Sequence, residues 1–199
     1  RTFQEAPVSA SALDWSDFHR RALLRPPREL LRRTAASFLC EQRTPGIAID
    51  LGCGSGAETA ELLRAGWEVH AVDADPGGLE MLQQALPAES RGRLHAHAAK
   101  MEDFEFPICD LLWAGYSLPY CERARWPDLW QRATAALAEG GRIAGDFFGP
   151  AHGFAQEFEI LTFTQREARA ALRSLSIEAF DIEDGYRPTG GTLTRWQAW

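Results

Sequence analysis

The 199-residue sequence predicts an α/β protein in which helices alternate with the strands of one doubly wound, mostly parallel sheet. Three observations lead to this prediction. The apolar run 47–51 is followed by three glycines at alternate positions and then by a helical pattern. Strand and helix patterns continue to alternate up to residue 174. The last two predicted strands have no helix between them, so we expect them to pair antiparallel as a hairpin.

Apolar periodicity and helix breakers define the elements in order. Two amphipathic helices, 12–24 and 28–40, are separated by Pro26 and Pro27, which interrupt helical hydrogen bonding. The later helices are predicted at 57–64, 76–86, 126–138 and 165–174. The strands are predicted at 47–51, 67–72, 93–99, 108–114, 141–148, 177–182 and 192–199. The sequence therefore predicts one domain over 1–199, with a helical cap over 1–40 and a core over 46–199 that holds seven strands with helices on both faces.

The overall composition is that of an ordinary globular protein. The net charge of -7 opposes binding to nucleic acid, because phosphate backbones select basic surfaces. No apolar run approaches the roughly 20 residues that a membrane span requires, and the sequence does not open on an apolar export signal. The cysteines form no CxxC pair, which favours reduced thiols, a cytoplasmic location and no structural zinc. They are Cys40, Cys53, Cys109 and Cys121.

The segment 48–57, Ala-Ile-Asp-Leu-Gly-Cys-Gly-Ser-Gly-Ala, carries the residues that point to a ligand. Glycines between a strand and a helix let backbone N–H groups approach a bound molecule. Asp50 ends a buried strand, which is costly unless its carboxylate holds local amides or a cationic group of the ligand. The segment resembles the first motif of class I S-adenosylmethionine-dependent methyltransferases. The spacing Gly52-x-Gly54-x-x-Ala57 also fits the looser nicotinamide fingerprint, so an NAD-type oxidoreductase is an alternative.

Later segments extend the resemblance to small bacterial methyltransferases of the tellurite-resistance type, over residues 25 to 199. They are 110–121 (Asp-Leu-Leu-Trp-Ala-Gly-Tyr-Ser-Leu-Pro-Tyr-Cys), 129–130 (Leu-Trp), 140–149 (Gly-Gly-Arg-Ile-Ala-Gly-Asp-Phe-Phe-Gly) and the Trp-rich last strand. The resemblance implies a Rossmann-like fold, S-adenosylmethionine as the cofactor, and in-line methyl transfer to a small-molecule acceptor. A non-catalytic domain with the methyltransferase fold is a second alternative.

The resemblance also implies a cofactor site. Asp73 ends the second predicted strand, where a carboxylate accepts both ribose hydroxyls. Met101 is expected to pack on the adenine and Glu102 to accept from its amino group, although many family members have an acidic residue near where Lys100 stands. The complete set of predicted cofactor-binding residues is Arg25, Asp50, Gly52, Cys53, Gly54, Gly56, Asp73, Ala74, Met101, Glu102, Gly115 and Tyr116.

The methyl acceptor is expected beyond the carboxyl ends of the strands, between the N-terminal helix, the loop 116–121 and the segment 147–154. A small anionic or polarisable acceptor is predicted, with Arg25 available for a bidentate contact. Cys121 is not expected to act as a nucleophile, because methyl transfer from a sulfonium needs none. His95 and His97 share one strand face but are interpreted as ordinary strand residues, with no metal site. No catalytic residue is assigned; the candidates are His19, Tyr116, Tyr120 and His152.

Overall fold

The computed structural model describes residues 8–9, 14–22, 25–186 and 192–198. The helices are α1 (Ser16–Ala22), α2 (Glu29–Cys40), α3 (Ala57–Arg64), α4 (Pro76–Ala85), α5 (Ala88–Arg91), α6 (Trp126–Ala135), α7 (Phe154–Glu157) and α8 (Gln165–Ala171), with a 3-10 turn at Leu118–Tyr120. The strands are β1 (Val8–Ser9), β2 (Ile47–Leu51), β3 (Glu68–Asp73), β4 (Leu94–Ala98), β5 (Cys109–Ala114), β6 (Leu137–Phe148), β7 (Phe158–Glu159), β8 (Phe180–Tyr186) and β9 (Thr192–Ala198). Parts of the predicted helix 12–24, namely 12–13 and 23–24, lie outside the described residues.

The main sheet has the strand order β4-β3-β2-β5-β6-β9-β8. Strands β2 to β6 pair in parallel. Strand β9 pairs antiparallel with both β6 and β8. A separate short parallel pair joins β1 to β7. The predicted α/β, Rossmann-like architecture with a mostly parallel sheet is confirmed, while the division into a cap over 1–40 and a core over 46–199 stays a prediction.

Both faces of the sheet are buried at its centre, as the alternation along β5 demonstrates. Leu111 and Trp113 pack with apolar residues of α2, α3 and α4 on one face. Leu112 and Ala114 pack with α6 and α8 on the other face. This arrangement explains why the central strands β2 and β5 are nearly continuous apolar runs rather than alternating ones.

The largest difference from the sequence prediction concerns the start of β6. The helix predicted to 138 ends at Ala135, and β6 begins at Leu137 rather than at 141. The pairing with β5 skips from Cys109–Leu137 to Leu111–Arg142, so the residues around the glycine pair form an irregularity inside the strand. Gly140 has a φ of 71°, a conformation that suits this bulge. The glycines therefore bend a strand and do not end a helix.

The carboxyl ends of the parallel strands all lie at the same edge of the sheet. The glycine segment after β2 is fixed to the neighbouring strand, because Gly52 N and Cys53 N both donate to Val72 O at 2.8 and 3.0 Å. Helix α1 packs against α4 and lies over this edge. Among the described residues, none of the helices combines the length and apolar content needed to cross a bilayer.

Candidate functional site

A cavity of about 1070 Å³ lies at the carboxyl edge of the sheet. Its walls are the glycine segment, the ends of β3 and β5, the loops 99–102 and 115–124, and α1. Pockets for drug-sized ligands typically span roughly 300–1,000 Å³. The cavity is therefore large enough for a nucleoside-sized ligand and part of a second molecule.

The glycines of the segment 52–56 divide into two kinds. Gly52 and Gly54 line the cavity, and Gly54 has a φ of 54° that favours a residue without a side chain. Gly56 does not line the cavity. It precedes α3 with a φ of 81°, and a Cβ there would lie 2.3 Å from a methyl of Leu82. In the structure, Gly56 lets α3 and α4 approach each other, and its predicted contact with the cofactor stays a prediction.

Asp73 presents a fixed carboxylate to the cavity. Its Oδ2 accepts from Gly54 N at 2.7 Å, and its Oδ1 accepts from Asp75 N at 2.8 Å. Burial raises the pKa of Asp73, while these two backbone hydrogen bonds oppose the rise. Each carboxylate oxygen has a second lone pair, so Asp73 can accept from a pair of neighbouring hydroxyls as well.

Asp50 lies deeper, beneath the glycine segment. Its carboxylate is buried, and Oδ2 accepts from Thr59 Oγ1 at 2.6 Å. Burial, and secondarily the nearby Glu58 carboxylate, raise the pKa of Asp50 to about 7. A cationic group brought into the cavity would favour the ionised form. The environment of Asp50 therefore favours the binding of a cationic group next to its carboxylate.

Arg25 does not offer the bidentate anion site that the sequence predicted. Its Nη1 and Nη2 both donate to the buried Glu58 carboxylate, each at 2.5 Å. Arg28 N donates to the same carboxylate at 3.3 Å, and the Arg28 guanidinium lies 3.9 Å from the centre of the Tyr116 ring. Glu58 gave no sequence signal, because its partner is 33 residues away. Arg25 therefore lines the cavity, but its guanidinium is already paired with Glu58 and is not available for a bidentate contact with a ligand.

His19 fastens α1 to the glycine segment. Its ring is buried, with Nε2 2.9 Å from Asp75 Oδ2, and its carbonyl oxygen accepts from Ser55 Oγ at 2.9 Å. A Cβ built on Gly54 would lie 3.1 Å from His19 Nδ1, so the ring rests directly on the loop. His19 lines the cavity, as predicted for a base candidate, but Asp75 already engages its Nε2.

His152 takes a different position from the one the sequence suggested. It is fully buried, its ring stacks on Phe148 at 3.9 Å, and it does not line the cavity. Within the segment 147–154 only Phe154 lines the cavity, because Phe147 and Phe148 belong to the core of the sheet. His152, predicted as a candidate base, therefore lies away from the cavity in which a base would act.

The loop after β4 supplies the next wall. Met101 and Glu102 both line the cavity, together with Lys100. Glu102 is buried, and its Oε1 accepts from Glu122 N at 2.7 Å. Glu102, which was predicted to accept from the adenine amino group, thus also holds the loop at Glu122 through one of its carboxylate oxygens.

The loop after β5 completes the chamber. Tyr116 has a φ of 62°, unusual for a residue with a side chain, and its N donates to Asp146 Oδ2 at 3.2 Å. Tyr120 packs edge-on against Trp15 of the α1 region, with ring centres 4.9 Å apart. Burial raises the pKa of Cys121 to about 12, so its thiol stays protonated at neutral pH.

The cavity thus brings together residues that are scattered along the sequence. Every predicted cofactor-binding residue except Gly56 lines it. The cavity walls also include residues that the sequence did not predict there: Arg28, Glu58, Glu122, Arg123 and Glu159.

Comparisons with known proteins agree with this geometry. Residues 48–141 match the family model described as a methyltransferase domain. Over 109 residues the chain is 35% identical to the magnesium-protoporphyrin O-methyltransferase of Rhodobacter capsulatus. The match covers 55% of this chain and 47% of that protein, so the chain spans about half the length of its curated relative.

Similar solved structures share the fold. They include TehB from Haemophilus influenzae (TM-score 0.64, 15% identity, covering 82% of this chain and 59% of that one). The magnesium protoporphyrin IX methyltransferase ChlM of Synechocystis PCC 6803, with bound SAH, matches at TM-score 0.66 and 13% identity, covering 92% of each chain. The 1,6-didemethyltoxoflavin-N1-methyltransferase of Burkholderia thailandensis matches at TM-score 0.65 and 23% identity, covering 98% of this chain and 91% of that one. The glycine segment, Asp50 and Asp73 all lie within residues 48–141, the part of the chain that matches a methyltransferase domain.

Proposed function

We propose that this protein transfers the methyl group of S-adenosylmethionine to a small-molecule acceptor bound in the same cavity. The observation that carries the proposal is the juxtaposition of Gly54 and Asp73. The backbone of the glycine segment and a rigid carboxylate, joined by a 2.7 Å hydrogen bond, face one cavity of about 1070 Å³. This combination suits a ligand that has vicinal hydroxyls and needs close approach to the backbone.

The donor and acceptor groups of the cavity fit the cofactor. Asp73 would accept from the ribose hydroxyls, and Met101 with Glu102 would contact the adenine. Asp50 would stabilise positive charge at the methionine end, since its buried carboxyl has a pKa near 7 and gains by ionising beside a cation. Arg28, whose guanidinium lies over the Tyr116 ring, also lines the cavity and contacts Glu58 less closely than Arg25 does. These roles are proposals that binding measurements on variants can test.

The reaction requires positioning more than acid–base chemistry. Bound S-adenosylmethionine supplies an electrophilic methyl on a sulfonium, which an acceptor atom can attack directly. The chain's part is to hold the two reactants in line and to exclude water, and such orientation alone supplies a large share of a barrier reduction. Cys121 stays protonated and makes no covalent contribution. His19, whose Nε2 is engaged by Asp75, would act by fixing α1 over the cavity.

The acceptor half of the cavity is rich in aromatic rings. Trp15, Phe18, Tyr120 and Phe154 line it, and Trp15 packs edge-on against both Phe18 and Tyr120. Such walls favour a planar or polarisable acceptor. The Rhodobacter capsulatus relative is named for magnesium-protoporphyrin, which suggests a tetrapyrrole-type acceptor as one specific candidate.

A turnover screen tests the proposal. The protein is incubated with methyl-labelled S-adenosylmethionine and a panel of magnesium-protoporphyrin, phenols, carboxylates, thiols, selenite and tellurite, and the products are identified by mass spectrometry. We expect label transfer to at least one small molecule. Cofactor binding without transfer to any compound would support the non-catalytic alternative. Transfer to RNA, DNA or protein instead would overturn the small-molecule assignment.

A further inference from the structure

We propose that Glu68, His70 and His95 form a binding site for a divalent transition-metal ion, with zinc the best suited, at the edge of the sheet. The site is separate from the proposed methyl-transfer cavity, since none of the three residues lines that cavity. From the sequence alone, only His95 and His97 are considered as metal ligands, and both are interpreted as ordinary strand residues. The structure adds the two partners on the neighbouring strand.

Strand register brings these side chains together. His70 of β3 is the direct partner of His95 on β4, and β4 is the outermost strand of the sheet. Glu68 precedes His70 by two residues, so the two side chains project from the same face. The His70 and His95 rings stack with centres 4.7 Å apart.

The separations are close to those a metal requires. One ligand atom from each of Glu68, His70 and His95 lies within 4.8 Å of the other two. Two atoms bound tetrahedrally to one zinc ion at about 2.0–2.2 Å each lie ~3.4 Å apart. The ligand atoms of the cluster therefore have to approach one another by up to ~1.4 Å when the ion binds. The side chains of Glu68 and His95 are 48% and 43% exposed, which leaves them room to rotate.

His97 supports the central ligand. Its Nε2 lies 3.0 Å from Nδ1 of His70, which leaves Nε2 of His70 as the nitrogen available to an ion. Metal-binding histidines usually hydrogen-bond through their second nitrogen, which fixes the ring and its tautomer.

The chemistry of the donors selects the class of ion. Imidazole nitrogens suit zinc, copper, nickel and iron, whereas magnesium and calcium prefer all-oxygen sites. In the structure, His95 Nε2 and Glu68 Oε1 are 2.8 Å apart, and a bound cation would replace the proton that this contact needs. Three protein ligands leave one tetrahedral position for water. An ion here would join β3 to the edge strand β4.

Calorimetry with zinc chloride, on protein freed of any affinity tag and of chelator, tests the site. We expect one ion per chain, and a visible absorption spectrum typical of tetrahedral coordination when cobalt(II) replaces zinc. His95→Ala removes a direct ligand and should weaken zinc binding at least tenfold, because loss of a residue that merely supports a ligand already weakens metal binding by about tenfold or more. His97→Ala should weaken it less, because that residue acts through His70.

The matched control is Glu80→Gln, which removes an exposed carboxylate on α4 and should bind zinc like the unaltered protein. Unchanged binding of S-adenosylhomocysteine by each variant verifies the fold. Absence of zinc binding at millimolar concentration would overturn the proposal. Equal affinity in His95→Ala and Glu80→Gln would also overturn it, because the ion would then lie elsewhere.

Discussion

Replacing Gly54 with alanine tests how the glycine segment supports the cofactor site. Gly54 has a φ of 54°, and a residue with a Cβ in this conformation costs about 1–2 kcal/mol. The new Cβ would also lie 3.1 Å from His19 Nδ1, so the ring must shift. That shift strains the 2.9 Å contact between His19 Nε2 and Asp75, a charged hydrogen bond of the kind worth about 1.5–3 kcal/mol.

We expect Gly54→Ala to lower the free energy of unfolding by about 2.5–5 kcal/mol, the sum of these two effects. Affinity for S-adenosylhomocysteine should fall at least tenfold, which corresponds to about 1.4 kcal/mol. Urea unfolding followed by tryptophan fluorescence measures the first quantity, and calorimetry measures the second.

Gly66→Ala is the matched control. Gly66 has a φ of 99°, but a Cβ there would meet Pro45 at an ordinary 3.6 Å, away from the cavity. It should therefore lose stability through backbone strain alone and bind the ligand normally. If Gly54→Ala loses no more stability than Gly66→Ala and keeps full affinity, His19 does not press on the loop and the reasoning fails.

Three further results are expected. The folded-state pKa of Asp50, about 7, lies above its unfolded value near 4. The folded state therefore binds more protons than the unfolded state between these pH values. As a result, the free energy of unfolding falls as the pH rises from about 4 to 7. In Asp50→Asn this fall should be absent from denaturation curves collected across that range; an unchanged pH dependence would refute the assignment. Arg25→Ala should lower the free energy of unfolding by up to about 3–5 kcal/mol, since it leaves the buried Glu58 carboxylate with only the more distant Arg28 as a partner. Adding Glu58→Ala should recover part of the loss, and a double variant less stable than the single one would contradict this. Cys121→Ser should keep the turnover number and its pH profile, because the thiol is protonated; loss of activity with normal cofactor binding would reveal a chemical role.

The sequence predicted those features whose signals are local. The strand, glycine turn and helix from Ile47 to Arg64 are adjacent in the chain, and their physical causes are hydrophobic periodicity and glycine conformation. Asp73 was found for the same reason, since a carboxylate directly after a buried strand is conspicuous. Strand ends at one edge of a parallel sheet then place such residues around one cavity.

Features that depend on distant partners could not be predicted. Nothing near Arg25 in the sequence shows that Glu58 will bind both ends of its guanidinium. The pairing of His70 with His95 depends on strand register, which hydrophobic patterns do not specify to the residue. His152 follows β6 as expected, but the choice between a cavity wall and a stacked position on Phe148 is made by packing.

The central claim is that the cavity between Gly54, Asp73 and Asp50 binds the methyltransferase cofactor. Calorimetric titration of S-adenosylhomocysteine into the unaltered protein, Asp73→Ala and the exposed control Asp128→Ala tests it most directly. We predict one site per chain, a loss of about 1–3 kcal/mol in Asp73→Ala through the lost hydrogen bonds to the carboxylate, and no change in Asp128→Ala. Absence of binding to the unaltered protein would contradict the account, and equal affinity in all three would remove Asp73 from the site.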